Sequence, residues 1–394
     1  MKPVVLVFVG TYLPGYKSGG PVRSIANLVH YLGEEIDFRI VTSDRDVFDS
    51  APYPNVVVDR WNAVGKAQVY YRSGGQVSPL LLGKVFEMDF DVLYLNSFFA
   101  AGFSIIPLIA WRLMGRGKGS VVIAPRGEFS KGALGLKKWK KLAYIQFARK
   151  SGFYRDLIWQ ASAEPEAEDI RRTMKGHGRV SVATNIFVAP DAPSFLPGDS
   201  EVCRKHRRGG ELRILFLSRV SRKKNLHGAL RILRDVKTRV SFDVVGPIFE
   251  NGYWRECQMI TSSLPRNVRV RYLGPIEQAE VHELVKKYDL FFLPTLGENY
   301  GHAIIEALAG GTPVLISDQT PWKGDDSGAC RTFQIGDDEG FGRAIEETAR
   351  LSGEEYLGLR IAAVRLARAY SAVGESIERN RQLFKIATAM ARGA

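Results

Sequence analysis

The sequence has no apolar segment long enough to cross a lipid bilayer as a helix. A membrane-spanning helix needs roughly 18 to 20 consecutive apolar residues, and the best candidate, Ala100 to Leu113, is shorter. We expect this segment to form a buried or interfacial helix. The apolar segment Val4 to Val9 begins almost at the start of the chain, which leaves no room for a signal peptide. These features predict a cytoplasmic protein.

Cysteine is also scarce. The only three, Cys203, Cys257 and Cys330, are scattered and form neither a disulfide framework nor a zinc-binding spacing. The six histidines likewise show no metal-ligand pattern. The cysteine usage agrees with a reducing compartment, where structural disulfides are rare.

The chain length and the order of its apolar segments predict two domains. A chain of 394 residues is too long for one ordinary core. Short apolar strands alternate with helical patterns in the first half, and this rhythm restarts after a stretch rich in proline, glycine and charge, 190–210. Such alternation is typical of parallel sheets covered by helices. We therefore predict an α/β fold with Rossmann-like domains at 1–195 and 211–370 and a C-terminal helix at 371–394.

The net charge of +13 indicates an acidic partner, and one segment concentrates that charge. Residues 131–155 contain eight Lys or Arg and no Asp or Glu. We predict a helix there, with an apolar face flanked by lysines: Leu136, Trp139, Ala143 and Phe147, beside Lys137, Lys138, Lys140 and Lys141. Such a helix binds anionic membranes. The alternative is a helix packed on its own domain with a solvated basic face. No nucleic-acid-binding signature is present.

The most informative stretch lies between Gly297 and Pro313, where Glu298 and Glu306 are separated by seven residues. An apolar strand precedes it and another follows, which predicts a βαβ unit. Gly301 at the helix start allows a ligand to approach the backbone, and free amides there suit a phosphate. Glu306 lies among apolar residues, where a carboxylate needs hydrogen-bond donors such as a ribose diol. The alternative is two surface glutamates on an amphipathic helix.

A second charged motif, Ser218 to Asn225, opens the predicted second domain at the end of a strand. It contains Arg219 and, five residues later, Lys224, just before a helix whose predicted N-cap is Asn225. A fixed guanidinium and an ammonium group suit a leaving diphosphate. A solvated turn is the alternative.

The stretch ending in Glu306-Ala-Leu-Ala-Gly-Gly-Thr-Pro-Val resembles the Glu-x7-Glu signature of retaining GT-B glycosyltransferases (glycosyltransferase family 4, glycosyl transferases group 1). The resemblance implies that Arg219 and Lys224 hold the diphosphate. It also implies that Glu298, with Asn299, Tyr300 and Gly301, holds the donor sugar and diphosphate, and that Glu306 holds the ribose. Gly19 and Gly20 resemble the glycine loop that contacts the donor phosphates and the acceptor.

Two further loops of the first domain supply candidate residues for contact with the acceptor. They contribute Asn96 after one strand, and Arg126 and Glu128 after another. A structural salt bridge between Arg126 and Glu128 is the alternative. Many relatives carry histidines in the first loop, where this chain has Tyr94 and Asn96, so a histidine-based transfer of protons is in doubt.

The resemblance implies a GT-B fold whose last helices, from about Glu354 onward, return to the first domain. The implied activity is a metal-independent, retaining hexosyl transfer without cofactor. We expect the sugar to move from a nucleotide-diphosphate-sugar to a lipid-linked or polysaccharide acceptor in bacterial exopolysaccharide or lipopolysaccharide synthesis, at the inner face of the cytoplasmic membrane. Alternatives are a nucleotide-sugar epimerase of the same fold and an inactive nucleotide-sugar-binding protein.

A metal-dependent enzyme would need an Asp-x-Asp pair at the diphosphate. Asp44-Arg45-Asp46 fits that pattern formally. It follows the second predicted strand, and we expect it to form a polar turn far from the phosphate-binding loops.

Overall fold

A computed structural model describes residues 2–74, 79–114, 119–135, 138–185, 210–371 and 373–393. The chain forms two compact units. The described residues up to 185, together with 373–393, form the first unit, and residues 210–371 form the second. The predicted linker, apart from residue 210, lies outside the described residues.

The first unit is built on one sheet. Its described strands are β1 (Val4–Phe8), β2 (Asp37–Ser43), β3 (Trp61–Val64), β4 (Ala67–Arg72), β5 (Val92–Asn96), β6 (Ser120–Ala124), β7 (Ile158–Ala161) and β8 (Arg179–Val182). Their order across the sheet is β3-β4-β2-β1-β5-β6-β7-β8. Only the β3–β4 pair is antiparallel among these described pairs.

The described helices of this part of the chain are α1 (Gly20–Leu32), α2 (Pro79–Glu87), α3 (Ile106–Met114, preceded by a π-helical turn at Ala101–Ile105), α4 (Lys131–Gly135), α5 (Lys138–Ser151) and α6 (Glu164–Met174). The basic helix predicted for 131–155 is wrong in its end, because α5 stops at Ser151 and residues 152–155 are not helical. Leu136 and Lys137, which the prediction placed within it, lie outside the described residues.

Alternation along β1 divides the core of the first unit into two layers. Leu6 and Phe8 belong to one buried cluster, whereas Val5 and Val7 belong to the other. Successive side chains of a strand point to opposite faces, so a central strand covered on both faces reads as a continuous apolar run. This explains why β1 was recognisable in the sequence.

The second unit is also a parallel sheet covered by helices. Its described strands, in the order β11-β10-β9-β12-β13-β14, are β9 (Glu211–Leu217), β10 (Arg239–Val245), β11 (Val268–Gly274), β12 (Leu290–Leu293), β13 (Val314–Ser317) and β14 (Cys330–Phe333). Its described helices are α7 (Leu226–Arg234), α8 (Asn251–Ser262), α9 (Gln278–Val285), α10 (His302–Ala309), α11 (Asp338–Arg350) and α12 (Gly353–Tyr370). All described strand pairs here are parallel.

The last helix, α13 (Val373–Arg392), belongs to the first unit. The ring of Phe384 lies 6.0 Å from that of Phe38 and 5.5 Å from that of Tyr94. In contrast, α12 remains in the second unit, where Tyr370 stacks on Trp322 at 4.3 Å. The expectation that the chain returns to the first domain from about Glu354 is therefore wrong for α12. No helix in the described ranges has both the length and the apolar character needed to span a bilayer.

Both sheets have a point where the chain reverses the direction in which it adds strands. In the second unit β9 leads outward through β10 to β11, and β12 then pairs with the other side of β9. In the first unit the same reversal occurs between β1 and β5. Ligands of open α/β sheets bind outside the carboxyl ends of the strands at such a switch point. Ligand-binding residues are therefore expected in the loops after β9, β12, β1 and β5.

Candidate functional site

Two loops of the second unit are joined at the β9/β12 switch point. We call residues 218–225 the cation loop and residues 294–301 the glutamate loop. The Leu296 amide donates to the Lys223 carbonyl at 2.8 Å, and the Thr295 hydroxyl donates to the same carbonyl at 3.0 Å. The Asn225 side-chain amide donates to the Pro294 carbonyl at 2.7 Å. These bonds hold the two charged motifs in one rigid arrangement.

The joined loops bring Lys224 and Glu298 into a direct ion pair. The Lys224 ammonium donates to the Glu298 carboxylate, and both side chains are largely buried. Burial alone would raise the pKa of Glu298. The charges of Lys224 and Lys223, with hydrogen bonds from Lys224 and the Asn299 amide, outweigh it and lower the pKa to about 2. Glu298 is therefore ionised at neutral pH.

Arg219 has a different environment from Lys224. Its guanidinium lies 4.8 Å above the centre of the Phe249 ring. Within the described residues it makes no hydrogen bond and no ion pair. Burial lowers the pKa of Arg219, and the charge of Glu298 opposes that shift. A guanidinium on an aromatic ring, with its N–H groups uncommitted, is suited to bind an anion.

Asn225 occupies the predicted N-cap position of α7, but without the side-chain bond that usually accompanies it. Its backbone is left-handed, with φ of 59°, and its side chain makes no cap bond. The side chain crosses to Pro294 instead, as described above. A Cβ at Gly228 would lie 2.5 Å from the Asn225 side-chain nitrogen. Gly228 therefore leaves room for the amide that joins the two loops.

The glutamate loop ends at Gly301, the N-cap of α10. The backbone there has a φ of 82°. A Cβ at this position would lie 2.8 Å from Ile304 Cδ1 and 2.9 Å from Trp322 Nε1. The Trp322 indole N–H also donates to the Tyr300 carbonyl at 2.7 Å. Trp322 thus fixes the backbone that enters α10, and its packing explains why residue 301 is glycine. The prediction gave a different reason, the close approach of a ligand.

Glu306 lies on α10 and is buried, as its apolar neighbours indicated. One of its carboxylate oxygens accepts a hydrogen bond from Gln278 Nε2 at 2.8 Å. Gln278 begins α9, an element with no motif in the sequence. The Glu306 carboxylate therefore contacts a neutral amide, whereas the Glu298 carboxylate contacts an ammonium group. Because Glu306 is buried, the alternative of an ordinary surface glutamate is wrong at this position.

The glycine loop of the first unit, residues 9–20, connects β1 to α1 and includes the first residue of that helix. Gly19 is the N-cap of α1 with a φ of 68°, and Gly20 is its first residue. The Asp46 carboxylate accepts from the Tyr16 amide at 2.7 Å and the Lys17 amide at 3.0 Å. The prediction that the Asp44-Arg45-Asp46 turn lies far from this loop is wrong, because β2 pairs directly with β1. Asp46 holds the loop in place.

The three predicted acceptor residues lie at the carboxyl ends of β5 and β6. The Glu128 carboxylate accepts from the Ser97 hydroxyl at 2.8 Å and the Phe99 amide at 3.1 Å. Arg126 donates to Asn96 Oδ1 at 2.7 Å. The alternative of a salt bridge between Arg126 and Glu128 is therefore wrong; each has its own partners. Burial raises the pKa of Glu128, against the hydrogen bonds that lower it.

Comparison with known proteins bears on both units. Residues 201–323 match the family described as glycosyl transferases group 1. The matched residues contain both charged loops of the second unit, the cation loop and the glutamate loop.

The similar solved structures extend over nearly the whole chain and show the fold. Anabaena HepE in complex with UDP and glucose has 16% identity and a TM-score of 0.69, covering 98% of this chain and 99% of HepE. Sucrose-phosphate synthase from Thermosynechococcus elongatus has 16% identity and a TM-score of 0.65, covering 98% and 100%. The predicted α/β fold with two Rossmann-like domains, as in GT-B glycosyltransferases, is thereby confirmed.

Two curated relatives resemble parts of the chain. An uncharacterized 41.2 kDa protein in the cps region of Klebsiella pneumoniae is 25% identical over 257 residues, which cover 63% of this chain and 68% of that protein. A D-inositol 3-phosphate glycosyltransferase of Geodermatophilus obscurus is 26% identical over 162 residues, 38% of this chain. The chain matches only 36% of the length of that relative.

Three residues that shape the charged loops of the second unit were missed in the sequence. Phe249 lies beneath Arg219, Gln278 donates to Glu306 from 28 positions away, and Trp322 donates to the Tyr300 carbonyl from 22 positions away. No local pattern marks residues at such separations. The one usable signal was the aromatic content of the loops after β10 and β13.

Substitution of Gly301 tests whether the packing of Trp322 is the reason for glycine at this position. Gly301→Ala adds a left-handed alanine, which costs about 1–2 kcal/mol, and an overlap with Trp322 and Ile304, which adds about 1–3 kcal/mol. Gly274→Ala is the matched control, because Gly274 has a φ of 80° but no atom within 4 Å of a built Cβ. Urea unfolding should show the larger loss for Gly301→Ala. Equal losses would contradict the packing role of Trp322.

Proposed function

We propose that the protein transfers a sugar, with retention of anomeric configuration, from a nucleoside-diphosphate-sugar to an acceptor in bacterial surface polysaccharide synthesis. The observation that carries this proposal is the charge arrangement at the β9/β12 switch point. There Arg219 has uncommitted N–H groups, within the described residues, beside the buried Lys224–Glu298 pair. The similar HepE structure is a complex with UDP and glucose, and one relative lies in a cps region. Both support a sugar nucleotide and a polysaccharide product.

In the proposed reaction the bond between the anomeric carbon and the diphosphate oxygen breaks, and its electron pair stays on the diphosphate. The acceptor hydroxyl forms the new bond on the same face and gives its proton to the departing diphosphate. Arg219 and Lys224 stabilise the charge that develops on that leaving group. The amides at the start of α10 add positive potential from a helix N-terminus. Glu298 orients the ammonium of Lys224 and accepts hydrogen bonds from sugar hydroxyls.

We further propose that no metal and no cofactor is needed, because these cations balance the diphosphate. Titration calorimetry with UDP in the presence of EDTA tests donor binding and metal independence together. We expect saturable one-to-one binding that EDTA leaves unchanged. Absence of UDP binding with and without magnesium or manganese, along with absence of binding of other nucleoside diphosphates, would overturn the proposed function. Binding only with added metal would overturn the metal-independent form.

Glu306 is proposed to accept hydrogen bonds from the ribose hydroxyls. Glu306→Gln should weaken UDP binding by about tenfold, because a charge-assisted hydrogen bond contributes roughly 1.5–3 kcal/mol. The 2'-deoxyribose analogue of UDP should bind wild type less tightly than UDP does. The Glu306→Gln variant should bind UDP and the analogue with about equal affinity. Calorimetry with the four combinations measures the coupling. Equal penalties for the deoxy analogue in both proteins would show that Glu306 does not contact the ribose.

The surface of α5 supports a second part of the proposal, contact with an anionic membrane. Trp139 is 82% exposed and Phe147 is 50% exposed, one face of the helix also carrying the exposed Ala143. Lys138 and Lys140 are exposed beside them. The opposite side of the helix is held in the core by Ile145 and Ala148. An aromatic stripe flanked by lysines fits lipid headgroups, since aromatic rings and cations both favour that interface.

Lys141 differs from the other two lysines, because its ammonium donates to the Ala133 carbonyl at 2.6 Å. The membrane test therefore changes only Lys138 and Lys140. Their joint replacement by Glu should reduce sedimentation with anionic liposomes at least about tenfold, since each basic residue near the surface contributes about 1 kcal/mol. Arg234→Glu with Lys237→Glu, exposed positions in the second unit, makes the same change in net charge and should bind like wild type. Equal binding by the α5 variant would contradict membrane contact.

A further inference from the structure

Arg126, at the end of β6, is surrounded by neutral acceptors. Its guanidinium donates to Asn96 Oδ1 at 2.7 Å, to Tyr94 Oη at 2.8 Å and to Asn185 Oδ1 at 2.8 Å. The part of the chain that the structure describes provides no ion pair for it. The carboxylate of Glu166 accepts from the adjacent Gly127 amide and from Ser162, so it is already engaged. The guanidinium is thus fixed in orientation while its charge is not neutralised by direct contact.

Asn96 presents a second donor at the same place. It is 6% exposed, and its Oδ1 accepts from Arg126. Its Nδ2, bonded to the same carbon as that oxygen, is buried and has no hydrogen-bond partner among the described residues. Buried donors without a partner are rare because each costs roughly 1–3 kcal/mol. A ligand oxygen that meets both Nδ2 and the guanidinium would satisfy this donor.

The backbone on both sides of this cluster is strained. Ser97 has a φ of 129° and Arg126 has a φ of 55°, although neither is glycine. Such conformations cost about 1–3 kcal/mol each and persist where the surroundings enforce them, often at functional sites. Glu128 enforces the Ser97 turn through the hydroxyl and amide bonds described above. Glu128 is therefore a positioning residue for the cluster.

We propose that Arg126 and Asn96 bind an oxyanion, a phosphate or carboxylate group carried by the acceptor. An arginine fork matches both groups, because two parallel N–H donors fit two oxygens of the same ion. The cluster lies at the carboxyl ends of β5 and β6, and β5 flanks the switch point of the first unit. That the anion belongs to the acceptor rests on the proposed function; oxyanion binding at this cluster does not.

Hydrogen–deuterium exchange with inorganic phosphate and with acetate, against chloride at matched ionic strength, tests the site. We expect phosphate, acetate or both to protect peptides covering 94–99 and 125–130 in wild type. The stronger ligand separates a phosphate-bearing from a carboxylate-bearing acceptor. Arg126→Gln should abolish this protection, while Arg219→Gln, in the second unit, should preserve it. Absence of protection in wild type by either ion, or its persistence in Arg126→Gln, would overturn the proposal.

Arg126→Gln removes the four hydrogen bonds that this side chain donates to three residues and could unfold the cluster, so a second variant keeps them. Asn96→Asp places a carboxylate against Arg126, neutralising the guanidinium while preserving its position. Thermal stability should be retained or increased, and oxyanion affinity should fall at least about tenfold because the charge is already paired. A stable Asn96→Asp protein with wild-type affinity would contradict the oxyanion site. UDP binding should be unchanged in this variant. Absence of UDP binding by the wild-type protein would count against the proposed function and not against the oxyanion site.

Discussion

Arg219→Ala is expected to lower donor turnover about 100-fold, equivalent to about 3 kcal/mol of transition-state stabilisation. The guanidinium rests on Phe249 and has no hydrogen bond or ion pair to the described protein, so its donors are available to a leaving diphosphate. For the same reason its removal should cost little stability, about 1 kcal/mol for the lost cation–π contact. Hydrolysis or transfer from UDP-sugars, measured with the melting temperature, separates the two effects.

Arg222 provides a matched control in the same loop. It is exposed, and its guanidinium pairs with Glu256 and Glu250. Arg222→Ala removes the same charge three positions away, and turnover should stay within threefold of wild type. If Arg219→Ala also stays within threefold, Arg219 does not stabilise the leaving group. If both variants lose activity equally, the effect is a general loss of positive potential and not a specific contact.

The rhythm of strands and helices was predictable because parallel strands covered on both faces are nearly continuous apolar runs. The segment Leu290–Leu293 is an example: all four residues of this strand are buried. Short edge elements such as β3 and β8 were missed, because their exposed residues break the apolar run. The helix predicted for 131–155 was too long, since basic composition continues to Arg155 although α5 ends at Ser151.

The sequence motifs and their family resemblance selected Arg219, Lys224 and Glu298 as candidates. Neither gave any sign that Lys224 pairs with Glu298 across 74 positions. That contact depends on β12 lying beside β9, and alternation of strands and helices does not determine strand order. The error over Asp46 has the same origin, because β2 lies beside β1 and brings Asp46 to the glycine loop.

Lys224→Met is expected to destabilise the second unit by about 3–5 kcal/mol at pH 7, because it leaves the Glu298 carboxylate buried without its partner. The double variant Lys224→Met with Glu298→Gln removes both charges and should recover most of that loss. Urea unfolding of wild type, both single variants and the double variant measures the coupling between the two residues. Additive losses would show that the ion pair contributes nothing.

The same pair predicts a dependence of stability on pH. The pKa of Glu298 is lowered from its usual 4.5 to about 2 in the folded protein, so the unfolded chain binds this proton more tightly. The stabilisation is therefore fully present above about pH 4.5 and is lost as the pH falls from there towards about 2. Glu298→Gln should unfold with a shallower dependence on pH than wild type between about pH 4.5 and about 2.5. Parallel curves for the two proteins across that interval would show that Glu298 is not held ionised by Lys224.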